Sequence, residues 1–276
     1  MGASREIHPT AIVAEGATLG AGVRIGPGAI VGPHVRLGDG VVLHAHAIVE
    51  GHTSVGAGAE IFPNAAVGLR PQDLKYDGAP TTLEIGARTV IRECATLQPG
   101  TTGGGGKTTV GADCLIMAYC HVAHDCHVGD RVIMANATQL AGHVIVEDAA
   151  ILGGMTGVHQ FSRIGRRSIT GAQTRVMKDV PPFTTADGHP AQLFGLNIIG
   201  LRRDNFPKDS IRALKEAYKR IFVRPGAWAE VIAEVEASLG SVPEVAELCR
   251  FLKTSARGVT RAGFSKKDEP ADEDQE

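Results

Sequence analysis

Residues 7–37 read IHPTAIVAEGATLGAGVRIGPGAIVGPHVRL. Ile7, Val13, Leu19, Ile25, Val31 and Leu37 fall six positions apart, and the series continues through Leu43, Val49, Val55, Ile61 and Val67. It halts over GLRPQDLKYDGAPTT, resumes at Ile85, Ile91 and Leu97, and halts again over QPGTTGGGGKTT. A third run passes from Val110 through Ile116, Val122, Val128, Met134, Leu140, Val146, Leu152, Val158 and Ile164 to Thr170 and Val176. A period of six fits neither a helix nor an alternating strand. It fits a parallel β-helix, in which each hexad makes a short flat strand and a corner. Three hexads then close one triangular coil of eighteen residues, with the aliphatic residue pointing inward. Gly in LGAG, RIGPG, RLGDG and SVGAG is expected to serve the corners, where it permits backbone angles closed to other residues.

Composition agrees with a scaffold of this kind. Aromatic residues are only 4% while Gly numbers 35, so the core must be built from small and β-branched side chains. A net charge of −2 gives no case for nucleic-acid binding. No stretch is apolar enough for a membrane span, and MGASREIHPTAIV lacks the layout of a signal peptide. Five cysteines with no disulfide-like framework fit a reducing cytoplasm, as small buried fillers.

The β-helix is expected over 1–189, with loops extruded at about 68–83 and 98–108. Such loops carry function because the scaffold fixes their ends. A helical domain is expected over 190–264. PKDSIRALKEAYKRIF, 207–222, sets Ile211, Leu214, Tyr218, Ile221 and Phe222 on one face; WAEVIAEVEASL follows, and Ser241 with Glu244 reads as a capping box opening a third helix. Residues 265–276 are charged, lack apolar anchors and read as a disordered tail.

The eighteen-residue lap also orders the polar cluster HVAHDCHVGD, 121–130. Positions eighteen apart stack at about 4.8 Å, the strand spacing, so His124 lies under Gly142 and Asp125 under His143. His121 and His127 fall on different sides, which speaks against a zinc site from this local cluster. His124 beneath the amide of Gly142 is instead a layout for acyl transfer, one group taking a proton and the other facing an oxyanion.

The stretches IHPTAIV, IVGPHV, QDLKY, IRECATL, HVAHDCHVGD, LAGHV, GGMTGVHQF, DVPPF and GLNIIGLRR, in this order, resemble the bacterial UDP-N-acetylglucosamine 3-O-acyltransferases, which begin lipid A synthesis. The resemblance implies a left-handed coil, a homotrimer, 3-hydroxyacyl carrier protein as donor, UDP-N-acetylglucosamine as acceptor, and no cofactor or metal. It implies His124 as general base, Asp125 as its support and Gly142 as oxyanion donor. Gln72, Asp73 and Lys75 would meet the nucleotide sugar, His121, His143, His159 and Gln160 would line the groove, and Asn197 and Arg203 would reach phosphate. Ala172 would limit acyl length. Ile199 and Asp204 depart from the family pattern, which carries an acidic residue and a second arginine there.

Arg202, Arg203, Arg212, Lys215, Lys219, Arg220 and Arg224 are expected to form a basic face for the acidic carrier. The residues also admit amide formation on a 3-amino sugar, another hexapeptide-repeat acyltransferase, and a carbonic-anhydrase-like protein with metal between subunits.

Overall fold

The structure is a computed structural model, and it describes residues 4–223 and 226–263. Arg224 and the charged segment 265–276 lie outside the described residues. Two-residue strands at nearly every hexad stack into three sheets of eleven, nine and eight strands, the faces of a triangular prism. In the uninterrupted coils neighbours within each face are parallel and eighteen apart, as in Glu6 with Arg24 and His121 with Gln139. The two insertions reset the count: Ile61 pairs with Ile91, thirty on, and Thr96 with His121, twenty-five on.

The aliphatic residue of each hexad points inward, and from Ile25 to Val176 it is buried. A second inward position, two residues earlier, was not legible in the period. It holds Val23, Ala29, Val35, Val41 and Ala47 in the early coils and Cys114, Cys120 and Cys126 later. Each of these three thiols lies against a carbonyl oxygen of the next coil. Burial pushes their pKa values up to about 11, 11 and 12, which makes them inert fillers. All five cysteines are free.

The glycines divide into two roles. Gly28 has φ +66° and serves a left-handed corner as expected. Gly26, directly after the inward Ile25, has ordinary φ; it is small because a Cβ there would lie 2.9 Å from the Ala45 nitrogen one coil away. In later coils the left-handed corner is held by other residues, including Asp125, His143 and Phe161 with φ of 58°, 62° and 64°.

Outward positions differ by face. On the eleven-stranded face Leu115, Ile133, Ile151 and Ile169 stack in register, directly before the inward residue of each strand, and each stays partly exposed.

After the last coils, strand Thr184–Asp187 pairs antiparallel with Gln192–Leu196, a hairpin the sequence reading did not contain. Helices follow: α1 (Ile198–Arg203), α2 (Lys208–Tyr218) running into a π-helical turn over Lys219–Val223, α3 (Trp228–Leu239) and α4 (Pro243–Lys253). The expected capping box is absent. Pro243 opens α4 behind Val242, with no side-chain cap, because proline's fixed φ suits the first helical position. Leu214, Val235, Val245, Leu248 and Phe183 form a second core. Arg166 forks onto Glu247 at 2.6–3.1 Å and Arg163 lies over the Phe251 ring at 4.2 Å, tying α4 to the prism.

Candidate active site

The polar cluster sits at the corner between the nine-stranded and eight-stranded faces, rather than on a flat side. Strand His121–Val122 leads into it and strand His127–Val128 leads out. His121 and His127 therefore diverge as expected. Between them the chain turns through the left-handed Asp125, which directs that carboxylate inward under the second extruded loop.

Asp125 is only 2% exposed and its hydrogen bonds are numerous. The Thr101 amide donates to Oδ1 at 2.8 Å and the Thr101 hydroxyl donates to Oδ2 at 2.6 Å. His124 Nδ1 stands 2.8 Å from the same Oδ2. The Asp125 N–H itself donates to the Thr108 hydroxyl at 2.7 Å. Burial acts to raise the Asp125 pKa, but the hydrogen bonds from Thr101 and His124, with nearby His143, outweigh it and hold the carboxyl below its ordinary value. An ionised carboxylate only accepts, so His124 must donate from Nδ1. In the neutral ring that tautomer leaves Nε2 as the acceptor.

That face of the imidazole meets Gly142, one coil above. A Cβ at 142 would lie 2.8 Å from Nε2, so only glycine leaves room there. The Gly142 carbonyl accepts from Phe161 N–H at 3.3 Å. His143 crosses His124 edge-on at 5.2 Å and stacks on Phe161 at 4.5 Å, with the rings 13° from parallel. Two columns thus rise at the corner: His124, Gly142 and Gln160, beside Asp125, His143 and Phe161. Phe161 was missed by the sequence reading although it lies eighteen beyond His143. His121 is held by Thr96, 2.7 Å from its Nδ1. Burial first, and the neighbouring His124 second, lower its pKa against the opposing Thr96 bond, so this ring favours the neutral form. His159 donates from Nδ1 to the Gln160 carbonyl at 3.1 Å, partly exposed beside the column.

His124, Asp125 and His143 bring possible metal-ligating atoms within 4.8 Å of one another. The expected divergence of local side chains therefore does not extend to this trio. Oδ2 of Asp125 already accepts from Thr101 and His124, and these bonds account for its ionisation.

The first extruded loop leans on the second. Gln72 N–H donates to the Gln98 side chain at 3.1 Å, and the Thr102 hydroxyl to Asp77 at 3.3 Å. Asp73 caps its own turn by accepting from Lys75 N–H at 2.9 Å, while the Lys75 side chain is exposed. Asn197 is spent largely on the fold: it accepts from Gly200 N–H at 3.1 Å as the cap of α1 and donates to the Arg167 carbonyl at 3.0 Å. Asp204 forms a close ion pair with Arg167 and lies 3.7 Å from Arg203, whose side chain remains 65% exposed. Ile199 is 83% exposed. Ala172 is exposed at another corner, between the eleven- and nine-stranded faces.

Of the expected basic face, Arg202, Arg212 and Lys215 line a pocket of about 550 Å³ together with Lys208, Phe206 and Ile211. Arg220 turns away, onto Glu216 at 2.7 Å and Ser238 at 3.2 Å. No described helix is long and apolar enough to cross a membrane.

Residues 107–142 match the family model described as bacterial transferase hexapeptide (six repeats), and residues 179–260 match UDP-N-acetylglucosamine O-acyltransferase, domain 2. A protein of Thiobacillus denitrificans named acyl-[acyl-carrier-protein]–UDP-N-acetylglucosamine O-acyltransferase is 52% identical, over 92% of this chain and 99% of its own length. One of the same name from Verminephrobacter eiseniae is 48% identical with the same coverage. The solved structure of LpxA from Acinetobacter baumannii superposes with a TM-score of 0.90 at 43% identity, covering 92% of this chain and 99% of that one. A UDP-N-acetylglucosamine acyltransferase from Campylobacter jejuni gives 0.89 at 36% identity, covering 94% and 100%. The prism is accordingly the parallel β-helix expected from the hexads, in the left-handed form that the resemblance implied. With relatives so similar along nearly their full length, this chain belongs to the UDP-N-acetylglucosamine O-acyltransferase family.

Proposed function

We propose that the chain transfers a 3-hydroxyacyl group from acyl carrier protein to the 3-hydroxyl of UDP-N-acetylglucosamine, the first step of lipid A synthesis in the cytoplasm. The supporting observation is the Asp125–His124 pair facing Gly142, in a chain about half identical to enzymes named for that reaction. His124 Nε2 takes the proton as the sugar oxygen attacks the thioester carbonyl carbon. The resulting oxyanion faces the Gly142 N–H. When the C–S bond breaks, the thiolate leaves with the proton returned by His124, and Asp125 steadies the imidazolium between the two transfers.

Lys75, on the braced loop, offers a point charge for phosphate. Arg203 does the same near α1. Asn197 acts by fixing the start of α1. His121, neutral at the rim, and His143, stacked on Phe161, line the sugar side, with His159 and Gln160 above. The aliphatic stripe Leu115, Ile133, Ile151 and Ile169 is the contact between prisms of a homotrimer, since such a stripe seeks cover from water.

The test is product formation from UDP-N-acetylglucosamine with a panel of 3-hydroxyacyl carrier proteins. Wild type should form the ester, and His124→Ala should lose activity by about 10²–10⁴ with its oligomer intact. A fully active His124→Ala, or product only from a 3-amino sugar, would overturn the reading.

A further inference from the structure

The second extruded loop interrupts the hexads and covers Asp125. Thr101 gives that carboxylate two of its hydrogen bonds, one from its amide and one from its hydroxyl. Thr101 is itself only 6% exposed. Gly104 closes the cover: a Cβ there would lie 2.0 Å from the Asp125 carboxyl carbon, so the loop backbone rests directly on the carboxylate. Thr108, where the loop rejoins the coil, accepts the Asp125 N–H and is fully buried. The same loop touches the Lys75 loop through Thr102 and Asp77.

We infer that Thr101 is a positioning residue for the reaction: its hydroxyl holds Asp125 ionised and oriented, and through it fixes the tautomer and ring plane of His124. This rests on the reading of His124 as general base. The hydroxyl and the imidazole share one acceptor, Oδ2, so the two bonds set each other's direction. Without the hydroxyl, Oδ2 has one donor fewer and its basicity rises. The imidazolium, or a proton on the carboxylate, then becomes easier to form, and the fraction of His124 ready to accept a proton falls at a given pH. The effect belongs to the chemical step, because Thr101 lies behind Asp125, away from the open side of the imidazole at Gly142.

Thr101→Val keeps the shape and the amide bond and removes only the hydroxyl. It is expected to lower kcat by about 10- to 100-fold, to leave KM for the sugar nucleotide within about threefold, and to move the acidic limb of kcat/KM upward by about half to one pH unit. Thr101→Ser should recover most of kcat and return the limb. Gly104→Ala, which must push the loop off the carboxylate, should reproduce the limb shift by another route. A Thr101→Val enzyme with unchanged kcat overturns the inference. So does one that loses kcat without any move of the limb and is not rescued by serine, since that pattern is mere loosening of the loop. His124→Ala, run alongside, separates the two levels. If it stays active the base assignment fails, and if it is inactive while Thr101→Val is normal only the role of Thr101 fails.

Discussion

A Cβ built on Gly142 would sit 2.6 Å from Cε1 of His124, nearer than carbon atoms pack. The two residues lie eighteen apart, and the lap of the coil brings them into contact. Gly142→Ala should therefore rotate the imidazole out of place and narrow the approach to the Gly142 amide. We expect kcat to fall by about 10²-fold or more, with the thermal transition of the coil little changed. Full activity in the alanine variant would mean that neither the ring position nor the amide matters.

Asp125→Asn places an amide where Oδ2 accepts two protons, so either Thr101 or His124 must lose its bond. A loss of about 10²–10⁴ in kcat is expected, with KM less affected. Steady-state kinetics on the purified variant decide it, and near-normal turnover would remove Asp125 from the mechanism.

Stability should carry the sign of the Asp125 shift. Its folded-state pKa is depressed, so its contribution is present in full above the ordinary carboxylate value near 4 and is lost as pH falls through the lower folded value. Wild type should lose melting temperature over that interval more steeply than Asp125→Asn. Coincident slopes between about pH 4 and pH 2 would contradict the expectation.

Ala172 lies 48 positions beyond His124, about 13 Å along the coil axis and at a different corner. It suits a groove completed by a neighbouring prism. Ala172→Gly should shift preference toward longer 3-hydroxyacyl donors, read as relative kcat/KM across the carrier panel. An unchanged ranking would release Ala172 from this role.

Ile151→Glu puts a charge in the middle of the outward aliphatic stripe without touching the inward Leu152. If that stripe is the contact of the proposed trimer, light scattering should show smaller particles for the variant than for wild type, together with loss of activity. A trimer that persists would place the contact on another face.

Much of the prism was legible because its hydrogen-bond register is a local, repeating property. Each hexad marks one inward aliphatic side chain, and an uninterrupted lap fixes which residues stack. That rule put His124 beneath Gly142, and extended one lap it would have found Phe161 over His143. It failed on features without periodicity. The second inward position alternates among Val, Ala, Thr and Cys and so hides in composition. Ser241 with Glu244 has the letters of a capping box, but Pro243 at the first helical position decided the start of α4.

By itself, then, the sequence determined the coil, its inward residues and the vertical neighbours within each unbroken run. The tertiary structure decided which groups cross an insertion or a domain boundary. Thr101 reaches Asp125 because the second loop adds seven residues and resets the register. Arg167 meets Asp204 because α1 folds back on the prism. Neither pairing leaves a periodic mark, since both depend on where an irregular segment returns to the scaffold, and that is set by packing rather than by spacing.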